Sequence, residues 1–167
     1  NNKDYLATLR VNSDRYQVED AGINTEFSEY GSFLKDGEMI FTSARSTGDV
    51  FQKKHSWTGQ YYTRLYSAKM AEDGKLSDAK EYAEDLDTKF NEATPVFTKD
   101  GNTVYFTRNN YNDGKKGKSA DKINKLKIYK ATLKDGKWDD ITELPFNSND
   151  YSVAHPALSA DEKTLYF

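Results

Sequence analysis

An all-β fold made of repeated, antiparallel four-stranded units is what this sequence predicts, on three observations. The first is recurrence. Asn24-Thr25-Glu26-Phe27-Ser28-Glu29 leads to Ser32-Phe33-Leu34-Lys35-Asp36-Gly37 and Ile40-Phe41-Thr42. Asp87-Thr88-Lys89-Phe90-Asn91-Glu92 leads to Pro95-Val96-Phe97-Thr98-Lys99-Asp100-Gly101 and Val104-Tyr105-Phe106-Thr107. Asn149-Asp150-Tyr151-Ser152 leads to Pro156-Ala157-Leu158-Ser159-Ala160-Asp161 and Leu165-Tyr166-Phe167. Phe27, Phe90 and Tyr151 stand 63 and then 61 residues apart, the mark of a structural repeat. The second observation is that apolar residues alternate in twos, as strands require. The third is the Asp-Gly pair between β-rich runs, because Gly reaches the positive φ of tight hairpins.

Each unit divides into four strands. The segment 95–98 turns through 99–102 into a second strand at 103–107. Leu65-Tyr66-Ser67-Ala68-Lys69-Met70 and Ile128-Tyr129-Lys130-Ala131-Thr132-Leu133 are third strands. They turn at Asp73-Gly74 and Asp135-Gly136 into fourth strands that end near Tyr82 and Leu144. A turn of helix over 79–86 is the one competing local reading. The third unit carries Glu162 where the others carry Gly37 and Gly101, so a different or strained turn is expected there. Tyr5-Leu6-Ala7-Thr8-Leu9 echoes a third strand. The expected order is thus a half unit at 1–20, full units at 29–82 and 92–144, and a half unit at 153–167. Four antiparallel strands every ~60 residues match one blade of a β-propeller, and the chain reads as an open, partial propeller. A solenoid of sheets or one continuous sheet is the alternative.

Composition bounds the function classes. The 167 residues are 31% charged and 14% aromatic, too aromatic for a disordered chain. The net charge of −3 exerts no overall pull toward nucleic acid or an anionic membrane. Cysteine is absent, which removes disulfide and thiolate chemistry. No apolar run reaches the ~20 residues of a membrane span. The chain opens on Asn1 and stops at Phe167 inside an apparent strand, as expected of a piece of a longer protein.

The run Pro-x-Phe-Thr-x-Asp-Gly-x-Thr-x-Tyr-Phe, from Pro95 to Phe106, resembles the WD40-like (PD40) propeller repeat of TolB-type periplasmic proteins. The longer string from Phe90 to Tyr111 is similar to a subgroup, the propellers of Bacteroidota outer-membrane lipoproteins with a C-terminal OmpA-like peptidoglycan-binding domain. These include the propeller component of the type IX secretion and gliding machinery. The resemblance implies a periplasmic scaffold at the outer membrane that binds protein partners, without catalytic residues or cofactor. Peptidoglycan would be reached only through a domain outside this chain. An accessory propeller of a serine peptidase and a carbohydrate-binding propeller are the alternatives.

Propeller geometry places the loop after strand two and the entry to the next blade on one face, opposite the short Asp-Gly turns. That face carries two insertions, 43–63 and 108–126, and long loops on a rigid scaffold commonly carry recognition. The first contains Phe51, His55, Trp57, Tyr61 and Tyr62, either as exposed contacts or as a cap folded over the neighbouring blade. The second holds Tyr111 and six lysines from Lys115 to Lys127, which could hold an anionic partner such as a lipid head group, a glycan or an acidic protein. It reads rather as a solvated, mobile loop, because Asp113 and Asp121 dilute the charge and no aromatic ladder accompanies it. The candidate contacts are Phe51, Trp57, Tyr61, Tyr62 and Tyr111, with Lys115 and Lys116 steering encounter.

Catalytic constellations are weak. His55 and His155 lack zinc-ligand spacing, and His155 aligns with Thr94 and Gly31, as expected of ordinary packing. Asn109, Asn110, Asn112 and Asp113 are a calcium candidate, but without EF-hand spacing they read as an Asx-rich turn. Glu29 and Glu92 are repeat-related, so hydrogen bonding between blades is expected rather than a glycosidase pair. A Gly-x-Ser-x-Gly elbow and a phosphate-cradling Gly-rich loop are both missing.

Overall fold

The structure, a computed structural model, describes residues 18–167. It is all-β. Strands β1 (Glu29–Lys35), β2 (Glu38–Ser43), β3 (Arg64–Met70) and β4 (Leu76–Glu81) form one antiparallel sheet in chain order. A single 3-10 turn at Glu84–Leu86 follows, in the stretch where a turn of helix competed with strand. In the second sheet β5 (Glu92–Phe97), β6 (Thr103–Asn109), β9 (Leu126–Lys134) and β10 (Lys137–Glu143) are neighbours in that order. Between β6 and β9 lies a small hairpin of β7 (Tyr111–Asn112) and β8 (Lys115–Lys116). A last hairpin pairs β11 (Ala157–Leu158) with β12 (Leu165–Tyr166). Among the described residues the sheets do not close into a barrel. The half unit expected at 1–20 lies outside the described residues except for its last three.

The turns follow from local chemistry. Asp36 and Gly37 sit at φ 50° and 80°, and Asp135 and Gly136 at 50° and 79°, the two left-handed residues of a tight hairpin whose twist suits the strands. The β5–β6 and β11–β12 turns are longer and share one form. Gly101 (φ 70°) donates its N–H to the Thr98 carbonyl at 2.8 Å, and Glu162 (φ 59°) donates to the Ser159 carbonyl at 2.9 Å. Glu162 therefore adopts the conformation that Gly takes freely, at a cost of roughly 1–2 kcal/mol. Its carboxylate accepts a hydrogen bond from the Lys99 N–H in the equivalent turn of the second sheet, which offsets part of that cost.

The first strands of the two full units are bulged, and a left-handed residue at the matching position of all three units helps to join the units. Gly31, Thr94 and His155, at matching repeat positions, all have left-handed backbones with φ of 61°, 47° and 59°. The register of β1 with β2 shifts between Tyr30 and Phe33, and that of β5 with β6 between Ala93 and Val96. The turned-out N–H of Thr94 reaches the Thr42 hydroxyl on β2 of the first sheet at 2.8 Å. That of His155 reaches the Thr107 hydroxyl on β6 at 2.9 Å. The recurring Phe-Thr pair thus has a reason: its threonine receives the next unit's bulge.

The core lies between the two sheets. Ile40 and Leu65 of the first meet Phe97, Val104, Phe106, Tyr129, Ala131 and Trp138 of the second, with Leu86 of the 3-10 turn between them. Burying such a side chain contributes about 1.5–3 kcal/mol, so this seam dominates the fold. A second cluster of Phe41, Tyr66 and Ala68 covers the other face of the first sheet. The segment entering each sheet also crosses the start of that sheet's fourth strand. Leu76 N–H donates to the Ala21 carbonyl at 2.8 Å, and Trp138 N–H to the Asp85 carboxylate at 3.3 Å.

Glu29 and Glu92 occupy parallel sites with different burial. Each accepts a hydrogen bond from a threonine four residues earlier, Thr25 or Thr88. Each faces a guanidinium of its own sheet's loop edge, Arg45 at 3.2 Å or Arg108 at 3.3 Å. Each arginine lies over an equivalent aromatic pair, Phe41 with Tyr66 or Phe106 with Tyr129. Bonding between units is seen at Glu92, which among the described residues also faces Arg64 of β3 in the preceding unit at 3.6 Å. Burial pushes the fully enclosed Glu92 carboxyl up to about 7, against the pull of Arg108 and Thr88. Burial also pushes Asp87 up to about 6, opposed by Arg64 at 3.1 Å. At Glu29 burial acts in the same direction, but the bonds from Thr25 and Ser43 and the charge of Arg45 outweigh it, and its carboxyl lies below the ordinary value.

Two outcomes follow for stability. A Cβ on Gly31 would lie 2.6 Å from the Thr94 Cγ2 and would hold a left-handed φ. Gly31→Ala is therefore expected to lose about 1–3 kcal/mol in urea unfolding, and a variant as stable as the parent contradicts the bulge packing. Because Glu92 and Asp87 have raised values, the folded chain binds more protons than the unfolded chain between about pH 5 and pH 7. Unfolding stability is expected to fall as pH rises through that window. The fall should flatten in Glu92→Gln; an identical slope in both proteins would contradict the assignment.

Candidate interaction face

In an antiparallel meander, loops after the second strand and connections between sheets emerge on one edge. Both insertions leave from that edge, and each is ordered by hydrogen bonds of its own. In the first, His55 N–H donates to the Gln60 carbonyl at 2.8 Å and Gly59 N–H to the His55 carbonyl at 2.9 Å. Lys54 bridges Tyr61, so 54–61 is a tight loop with Trp57 at its tip. The Thr63 amide and hydroxyl both reach the Asn91 side-chain oxygen, at 3.0 and 3.2 Å, which fixes the return to β3.

The second insertion is not the plain solvated loop that its lysines suggest. The β7–β8 hairpin shapes it, and asparagines tie it down. The Asn124 amide donates to the carbonyls of Asn110 and Gly117 at 2.8 and 2.6 Å. The Asn109 amide donates to the Asn124 side chain at 2.8 Å, and the Asn91 amide to that of Asn109 at 2.9 Å. Asn110 extends the network to Asn149 at 2.8 Å. The side-chain oxygens of Asn91, Asn109 and Asn124 are thus occupied by N–H or hydroxyl donors.

An aromatic relay joins the two insertions, where the sequence suggested no ladder. His55 meets Tyr62 edge-on with ring centroids 5.5 Å apart, Tyr62 meets Phe90 at 5.6 Å, and Phe90 meets Tyr111 at 5.1 Å. Phe27 packs on Tyr61 at 5.7 Å. Contacts of this kind contribute about 0.5–1.5 kcal/mol each beyond the area they bury. Three ammonium groups lie over these rings: Lys54 on Tyr61 at 4.8 Å, Lys116 on Phe90 at 4.9 Å and Lys89 on Tyr111 at 5.3 Å. The periodic Phe27 and Phe90 are therefore the anvils on which the insertions rest. Tyr151, their counterpart in the last unit, instead donates its hydroxyl to the Phe146 carbonyl at 2.9 Å.

The candidate contacts accordingly separate into two groups. Phe51 and Trp57 stand open, 85% and 89% exposed. Tyr62 and Tyr111 are partly buried in the relay and Tyr61 against Phe27, while Lys115 and Lys116 are both exposed, Lys116 lying over the Phe90 ring. Sequence reasoning missed Lys54, Lys89, Asn91 and Phe90 as parts of this face. The available signal was that 88–92 enters β5 directly beside the edge from which both insertions leave.

Between the first insertion and the loop ends of β1, β5, β6 and β9 lies a cavity of about 320 Å³. Tyr30, His55, Trp57, Tyr61, Thr107 and His155 are among its walls, so both histidines of the chain face one space. Among the described residues no group of three or more His, Asp or Glu side chains is arranged to hold a metal ion. Nor is any described helix long and apolar enough to cross a membrane. The arrangement is one of an ordered, aromatic, lysine-bearing surface around a cleft. No protein-family model, curated protein or solved structure matches the chain.

Proposed function

We propose that the chain is a non-catalytic docking module, a segment of a β-propeller that presents its two insertions to a protein partner. Propeller architecture is supported by two sheets packed on one apolar core, with β5 of the second against β1, β2 and β3 of the first, and by a left-handed backbone recurring at Gly31, Thr94 and His155. The blades would be 29–82 and 92–144, with part-blades at 1–20 and 153–167. The resemblance of Pro95 to Phe106 to TolB-type repeats supports a periplasmic position. That of the longer string from Phe90 to Tyr111 to Bacteroidota outer-membrane lipoprotein propellers supports a place at the outer membrane, in a protein linked to secretion or envelope organisation. Peptidoglycan contact would belong to another domain.

One observation carries the docking reading: Phe51 and Trp57 are fully presented on loops that are otherwise tightly bonded. Large aromatic side chains exposed on an ordered surface are the usual anchors of interfaces, where one can contribute 2 kcal/mol or more, roughly, to binding. The open indole of Trp57 would also suit a sugar ring, and a glycan array on the chain separates that second reading.

The direct test is a Phe51→Ala, Trp57→Ala double variant, compared with the parent in cross-linked pull-downs from an envelope extract. Partner recovery is expected to drop at least about tenfold, with the thermal midpoint unchanged because neither side chain is buried. Equal recovery from a folded double variant would remove the docking assignment.

A further inference from the structure

We infer that the insertion face recognises an acidic, extended polypeptide segment, whose carboxylates meet Lys54, Lys89 and Lys116 while one apolar side chain enters the cleft beside Trp57. The inference rests on the docking reading above and specifies its partner.

Charge is the first support. The chain as a whole carries −3, yet apart from the ion-paired Arg45 and Arg108 the segment 43–63 holds two lysines against one acidic residue, and 108–126 holds five against two. The basic residues of the framework are largely neutralised in place. Arg45, Arg64, Arg108, Lys69 and Lys127 each face a carboxylate. By contrast, Lys53, Lys54, Lys89, Lys115 and Lys116 have no ion-pair partner among the described residues. Cations concentrated on one surface and left without counter-charges favour an anionic partner by steering and by register.

Geometry narrows the class of anion. Lys116 and Lys89 lie over Phe90 and Tyr111 of the relay, and Lys54 lies over Tyr61, the neighbour of the relay's Tyr62; all three are exposed, with their ammonium groups seated on rings. Three positive points seated on three different rings suit a chain bearing several separated carboxylates better than a single phosphate. The rings of Tyr61, Phe90 and Tyr111 are already engaged by neighbouring rings and covered by these lysines, so they offer no open platform for stacking bases or sugars. The cleft of about 320 Å³ has Tyr61, the ring under Lys54, as one wall, and Tyr30 and Trp57 among the others. It has room for one aromatic or aliphatic side chain, which would anchor the segment that the lysines orient.

The test uses a fluorescein-labelled Glu-rich peptide carrying one Phe, a Gln-for-Glu version, and a version with Phe replaced by Ala, titrated by fluorescence anisotropy. The acidic peptide is expected to bind, to weaken with added salt, and to weaken at least about tenfold against the Lys54→Glu, Lys89→Glu, Lys116→Glu protein. The Phe-to-Ala peptide should bind more weakly to the parent and be insensitive to Trp57→Ala. Should the charge-reversed protein fold poorly, the corresponding Lys→Gln protein gives the same reading. Equal affinity for the Gln peptide, no effect of the lysine substitutions, or binding only to phosphatidylglycerol vesicles would overturn the inference. If envelope partners are still recovered by the charge-reversed protein, the acidic partner falls while the docking reading stands. Loss of Phe51 and Trp57 without effect on recovery would remove the docking reading itself.

Discussion

A backbone turned left-handed at Thr94 must place its N–H somewhere, and here it meets the buried hydroxyl of Thr42 on the neighbouring sheet. Such a bond contributes about 0.5–1.5 kcal/mol, but an unmet buried donor would cost about 1–3 kcal/mol. Apolar burial between the sheets is larger in total and has no direction. The hydroxyl therefore selects one register out of those that the core alone would accept. His155 and Thr107 repeat the device one unit later, and Gly31 occupies the same site in the first unit. Glu92 adds a second direction-bearing contact, between Arg108 of its own sheet and Arg64 of the one before.

The loop edge depends on this register. Thr63 returns to the first sheet by bonding Asn91, which immediately precedes β5 of the second. Phe90, one residue earlier, supports Tyr62 from one insertion and Tyr111 from the other. A slip of β5 by one residue would turn these anchors to the opposite side. The face is thus rigid because the seam is rigid, and the open side chains at Phe51 and Trp57 stand on a prepared surface. Preorganisation of that kind lowers the ordering cost of binding.

Much of the framework was legible. Alternation in twos, the Asp-Gly pairs and the recurring Phe-Thr marked the strands, because each depends on a few neighbouring residues. Glu162 was not legible as a turn equivalent to Gly101, since its support comes from Lys99 in another unit. The pairing of Arg45 with Glu29 was hidden by a shifted offset: Arg108 stands two residues after Phe106, whereas Arg45 stands four after Phe41. The insertions were the hardest. Trp57 and Tyr62 are similar residues a few positions apart, and only the long-range position of Phe90 decides which is held and which is free. The asparagines of the second insertion looked like a local turn because their partners, Asn91 and Asn149, are distant in sequence.

The central claim is that the insertions are ordered parts of the scaffold with a few free side chains. Residue-resolved amide hydrogen exchange tests it most directly. The amides of His55, Thr63, Asn110 and Val153, which donate to Gln60, Asn91, Lys125 and Leu126, are expected to be protected nearly as well as those of β5. The amides of Val50 and Trp57, beside those bonds, should exchange rapidly. Uniformly rapid exchange across 44–62 and 110–125, with protection confined to the two sheets, would contradict the account.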